Sequence, residues 1–170
     1  MQKFLDLDVT WTVANNGSVD LALHAQRNTV FPELPRFGLR LFLPQEMSQV
    51  NYYGMGPMEC YRDKHHAASH SSYTATVWQL HEDYIRPQEN GSHFDCDYVM
   101  LAGDAVRLTA VGTQPFSFNA SHYTQEELTR KAHNYELEPC GSTVFVPGLC
   151  PERHWLRKLR SPPAGTVPPG

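Results

Sequence analysis

The sequence predicts an all-β fold, an antiparallel β-sandwich of short strands with one short helix. Three observations carry that expectation. Apolar and polar residues alternate with period 2 in segment after segment, the pattern of half-buried strands. Turn-forming residues, Asn15-Asn16-Gly17 and Asn90-Gly91 foremost, punctuate those segments. Only one stretch, opened by Thr124, carries the chemistry of a helix start.

In chain order, Val9, Trp11 and Val13 share one strand face, and Val19, Leu21 and Leu23 share the returning one. Residues 9–24 are therefore an antiparallel hairpin, with Trp11 expected in the core. Two prolines make 28–35 a loop. Phe37, Leu39, Leu41 and Leu43 form the apolar face of the next strand, which Pro44 ends. Val50 to Tyr53 is a short strand leading into Gly54-Met55-Gly56-Pro57, where special dihedrals or close packing are expected. The polar, histidine-rich stretch 64–72 reads as a surface loop, and Tyr73, Ala75 and Val77 as a strand before Trp78.

Residues 82–99 read as an extended arm, a tight turn and a strand. Arg86-Pro87 favours extended backbone, and Asn90-Gly91 suits the turn of a hairpin. Phe94, Cys96 and Tyr98 then alternate with His93, Asp95 and Asp97, which puts Cys96 on the apolar face and His93 on the polar one. Val106 to Ala110 and Phe116 to Ala120 give two further strands. Thr124 with Glu127 is a capping box for a helix of about two turns ending near His133-Asn134. Ser142 to Phe145 begins a last strand.

The 170 residues suffice for one domain with a real core, and no run of apolar residues is long enough to span a membrane. Residues 1–145 hold ten basic against seventeen acidic side chains, which argues against nucleic acid as a partner. The N-terminus lacks the apolar core of a signal peptide, so a cytoplasmic location is expected. Cys60, Cys96, Cys140 and Cys150 show no metal-type spacing and read as reduced thiols. His65, His66 and His70 are spaced compatibly with a metal, but no second cluster completes a site, and they read as solvated.

Glu59 and Asp63 could serve as the paired carboxylates of glycoside hydrolysis. The plainer reading makes Glu59, Tyr61 and Asp63 hydrogen-bonding residues that fix the glycine-rich loop. Trp78, at a strand end before a loop, is the tryptophan best placed to stack on a pyranose ring. Glu59, Tyr61, Asp63 and Trp78 are thus the candidate substrate-binding residues; no catalytic and no metal-binding residue is assigned.

Several blocks carry a family resemblance. Residues 86–97, R-P-Q-E-N-G-S-H-F-D-C-D, are similar to the C-terminal domain of the large bacterial β-galactosidases of glycoside hydrolase family 2. So are Gly54-Met55-Gly56-Pro57-Met58-Glu59 with Tyr61-Arg62-Asp63, Leu34-Pro35-Arg36-Phe37-Gly38-Leu39, and the run Phe116 to Thr124. The resemblance covers residues 9 to 145 and implies part of a galactose mutarotase-like sandwich whose first strands, with the catalytic barrel, are absent. It implies a parent enzyme that hydrolyses terminal β-galactosides such as lactose through two barrel glutamates. The parent's magnesium and sodium ions would bind in that barrel, leaving this chain without cofactors. The expected role is architecture and a wall of the active site, with the galactoside and the rest of the enzyme as partners. The alternative is a stand-alone carbohydrate-binding module or the small subunit of a two-chain enzyme.

Residues 146–170 differ from the body: they hold six of the thirteen prolines and reverse the charge balance. Gly148 to Trp155 can be written in codons that, read one base later, spell Ala-Tyr-Ala-Gln-Asn-Gly-Ile-Gly, a segment the family carries at this point. The expectation is a shifted reading frame after Phe145, or a disordered tail. A sandwich short of its first strands leaves edges unpaired and apolar surface exposed, so poor solubility is expected in isolation. Size-exclusion chromatography should show aggregates; a monodisperse monomer with a cooperative melt would overturn that expectation.

Overall fold

The computed structural model describes residues 3–31 and 37–148. Leu34 to Arg36, Cys150, Trp155 and residues 149–170 of the tail expected to be out of frame after Phe145 lie outside the described residues. The fold is all-β and antiparallel throughout, as the alternation predicts, and falls into two compact units, Met1–Pro35 and Arg36–Gly170.

The first unit is the hairpin of β1 (Leu5–Val13) and β2 (Val19–Arg27), longer at its open end than expected. The turn has Gly17 at φ 86°, where a side chain would be strained. The register pairs Leu7 with Ala25, Val9 with Leu23, Trp11 with Leu21 and Val13 with Val19, so one face is apolar over these four pairs and ends at Leu5 opposite Arg27. Trp11 is not core: it is 52% exposed on that face, because a two-stranded ladder has no second layer of its own.

The second unit is one six-stranded sheet in the order β3-β8-β7-β6-β4-β5. Its strands are β3 (Leu41–Pro44), β4 (Gln49–Gly56), β5 (Ser69–Thr76), β6 (Ser92–Ala102), β7 (Arg107–Ser121) and β8 (Ser142–Pro147). Pairing begins later in β3 than the apolar pattern suggests, and β5 starts inside the polar 64–72 stretch. β8 runs two residues past Phe145, with Val146 buried.

The long β6–β7 hairpin joins the two ends of the sheet. Residues 98–102 of β6 pair with β4, whereas residues 118–121 of β7 pair with β8. Between them the β6–β7 register shifts twice. Asp95 takes φ 55° as the extra residue of the first bulge, a conformation aspartate tolerates better than most residues. At the second, residues 112–115 of β7 lie opposite Asp97 alone; Pro115 sits there without breaking a ladder bond, which is why β7 is one strand and not two. Apolar residues of both ends share one core, including Val50 and Tyr52 from β4, Leu101 from β6, Phe118 from β7 and Phe145 from β8.

The first bulge also changes which side chains are inside. Strict alternation puts His93 on the polar face, yet His93, Cys96, Val99 and Leu101 are all fully buried. Gly54 makes room: a β-carbon there would lie 2.3 Å from Cys96 Sγ. Asn90-Gly91 is not a hairpin turn, because no strand precedes it. Gly91, at φ 70°, instead lets the chain pass the Leu80 carbonyl, which a β-carbon would approach to 2.2 Å.

The helix α1 is the single turn and a half Gln125–Arg130, shorter than expected and capped by Thr124 Oγ1, which accepts from the Glu127 N–H at 3.2 Å. The Glu127 carboxylate does not close the capping box; it accepts from Arg130 and from the Glu138 N–H. A complete capping box, Thr76 with Gln79, opens the 3-10 turn Val77–Leu80.

His93 packs against the rings of Tyr52 and Phe118, at 4.7 and 5.2 Å, with those two rings 5.1 Å from each other and Nδ1 3.3 Å from the Met55 carbonyl. Burial lowers its pKa from the ordinary 6.5 to about 4. Between those values the unfolded chain binds a proton that the folded chain does not, so stability falls as pH drops from 6.5 to 4, by about 3 kcal/mol in all. Urea unfolding at pH 7 and pH 4.5 should show this loss, and His93→Leu should shrink it; an unchanged pH dependence in the variant would assign the loss to other groups.

Candidate functional site

Glu59 stands at the end of the turn that leaves β4 and has a side chain only 5% exposed. Four donors converge on it. Lys64 Nζ approaches Oε1 at 2.7 Å and the Tyr84 hydroxyl donates to the same oxygen. The Tyr61 hydroxyl donates to Oε2 at 3.2 Å, and the Gly91 N–H at 2.9 Å. Burial alone would raise the pKa of this carboxyl; the hydrogen bonds from Lys64, Tyr84 and Gly91 outweigh it and leave the pKa below the ordinary value. Glu59 is therefore held ionised, an anchor for the arm 81–91.

That arm has little regular structure of its own, and side chains hold it. The Asn90 side chain accepts from the Glu82 N–H at 3.0 Å and donates to the Gln88 carbonyl. The Asn119 side chain donates to the Asn90 carbonyl. Tyr61 is partly buried; burial, and then the Glu59 charge, push its hydroxyl well above the ordinary tyrosine range, so it stays a donor. Asp63 is exposed and lies outside the four-donor cluster around Glu59.

Trp78 belongs to a second group. In the 3-10 turn, Val77 and Leu80 are buried, three residues apart on one side, which leaves Trp78 on the other and 49% exposed. Its indole is backed by His122 at 4.5 Å between ring centroids and by the edge of Tyr123 at 6.0 Å. Tyr123 in turn packs on His81 at 4.9 Å. His122 is 2% exposed; its Nδ1 lies 3.3 Å from the Ser142 carbonyl, while Nε2 has no partner. Sequence reasoning missed His122 and Tyr123 because nothing local links them to Trp78, forty-odd residues earlier.

Chemically, the first group offers no free carboxylate pair, since both oxygens of Glu59 are occupied. Cys96, on which a nucleophile reading could rest, is fully buried, and burial raises its thiol far above the ordinary range. Among the described residues no three His, Cys, Asp or Glu side chains are grouped to hold a metal ion, and His70 instead contacts the Asp95 carbonyl at 2.9 Å. No helix of the described residues is long and apolar enough to cross a membrane.

The Glu59 anchor predicts a stability effect. Glu59→Gln should destabilise the chain by about 2 kcal/mol, since four donors, the buried Gly91 N–H among them, lose a charged acceptor. Urea unfolding at pH 7 checks this; wild-type stability in the variant would mean that the carboxylate does not hold the arm.

Comparison with known proteins places this arrangement. The chain is 46% identical over 143 residues to the β-galactosidase of Actinobacillus pleuropneumoniae, covering 84% of this chain and 14% of that protein. It is 40% identical over 137 residues to the β-galactosidase of Staphylococcus xylosus, covering 81% and 14%. To the Vibrio cholerae β-galactosidase it is 36% identical over 138 residues, covering 80% and 13%. The chain thus spans about one-seventh of the length of these curated relatives. Residues 1–148, which include both groups, match the family described as the β-galactosidase small chain, and the chain belongs to that family.

Proposed function

We propose that this chain is a non-catalytic domain of a β-galactosidase that hydrolyses terminal β-D-galactosides such as lactose in the cytoplasm. The observation that carries the reading is the match to one-seventh of the length of proteins named β-galactosidase, which leaves the greater part of such an enzyme outside this chain. The occupied carboxylate of Glu59 supports it, because glycoside hydrolysis requires two carboxyl groups free to exchange protons and reach the anomeric centre. The domain supplies architecture and one wall of the sugar site, while the acid, the nucleophile, and the magnesium and sodium ions belong to the catalytic barrel.

Of the four candidate sugar contacts, Trp78 alone has a large aromatic face open to solvent. Glu59 and Tyr61 act by holding the arm, and Asp63 is free to meet a hydroxyl. The half-exposed indole on its imidazole and phenol backing also supports the second reading, a module that binds sugar by itself.

The test uses the full chain together with the A. pleuropneumoniae β-galactosidase lacking the matching residues. Neither should hydrolyse a nitrophenyl β-galactoside alone, and mixing should restore hydrolysis. Turnover by this chain alone, or no rescue on mixing, would defeat the domain reading. Lactose binding by the chain alone, weakened at least tenfold by Trp78→Ala, would establish the module reading in its place.

A further inference from the structure

Ile85 and Tyr135 are the most exposed large apolar side chains among the described residues of the second unit, at 88% and 83%. They belong to different segments, the arm 81–91 and the short turn Asn134–Glu136, yet the backbone makes them neighbours: the Asn134 N–H donates to the Ile85 carbonyl at 3.2 Å. The Asn134 side chain donates to Asp83 Oδ1 at 2.8 Å and tightens the same seam. The Tyr135 ring lies flat on His133, 5.2 Å between centroids and 13° between planes, so its direction is set as well. Glu136 holds the turn from below, accepting from the N–H groups of Ala132 and His133 at 3.0 Å each.

Single exposed apolar residues are ordinary on protein surfaces. Two on segments locked together by hydrogen bonds, with the exposed Asp83 carboxylate beside them, have the make-up of interface anchors: an aromatic and an aliphatic side chain on backbone already held in place, with a polar rim. The arm is also the element that the buried Glu59 fixes through Tyr84 and Gly91. The occupant follows from length. This chain corresponds to about one-seventh of its relatives, and the arm and turn both lie inside the matched residues 1–148.

We propose that Ile85 and Tyr135, on the joined arm and Asn134–Glu136 turn, dock the remainder of the β-galactosidase polypeptide. The inference rests on the domain reading above. The docking face of that polypeptide offers an apolar recess for the two side chains and a hydrogen-bond donor for Asp83.

The experiment measures binding of the full chain to the A. pleuropneumoniae enzyme lacking the matching residues, with restored hydrolysis as a second readout. Ile85→Asp and Tyr135→Ser should each raise the concentration for half-maximal binding at least tenfold, with the melting temperature unchanged. Val111→Ser, at a 73% exposed position on β7, should bind like the unaltered chain. If Ile85→Asp perturbs the fold, Tyr135→Ser carries the test. Wild-type binding by both variants would overturn the proposal while leaving the domain reading intact. So would finding that they abolish self-association of this chain, or its binding of lactose, and leave enzyme binding unchanged. Failure of the unaltered chain to bind would remove the domain reading, and this inference with it.

Discussion

The sulfur of Cys96 sits over Gly54 where any other residue would place its β-carbon, and the second unit is arranged around that contact. The contact exists because β6 carries one residue more than β7 opposite it, with Asp95 in a left-handed conformation taking up the excess. From there the strand changes direction, so that the end of the hairpin paired with β8 and the end paired with β4 contribute to one core. Close packing leaves little tolerance at such a crossing, since one added methylene forces side chains off their rotamers.

A second constraint is electrostatic. The arm 81–91 lacks a ladder of backbone hydrogen bonds, and a segment of that kind is ordinarily mobile. Here a buried carboxylate substitutes for the ladder, gathering Lys64 and Tyr84 at one oxygen and Tyr61 and Gly91 at the other. Charge-assisted bonds of this sort are stronger than neutral ones and fix direction as well as distance. The same ionised group that settles the arm is thereby withdrawn from acid–base chemistry, and Glu59 acts as a clamp.

Much of the fold was legible in the sequence where two-residue periodicity is unbroken. The hairpin of β1 and β2, the faces of β4 and the Thr124 cap follow directly from side-chain order. Legibility ended where the backbone departs from that period. Alternation misplaces His93 because the bulge at Asp95 shifts the count by one, and β7 reads as two strands because residues 112–115 interrupt its pairing. Asn90-Gly91 has the composition of a hairpin turn, but Gly91 is needed for close approach to the Leu80 carbonyl. At the candidate site, Glu59, Tyr61 and Trp78 were recognisable as residue types. Their partners Tyr84, His122 and Tyr123 were not, because only tertiary structure brings them close. The family resemblance rested on whole motifs, which survive such local slips.

The hairpin of the first unit closes its nine-residue ladder upon itself, and a two-stranded ladder is marginal in water. The six-stranded sheet, by contrast, encloses a core of fully buried aromatic and branched side chains. Stability is therefore unevenly distributed along the chain. Taken by itself, the ladder of residues 5–27 has no buried core to resist opening of its amides, whereas those of β4, β6 and β7 open only with the core of their own sheet.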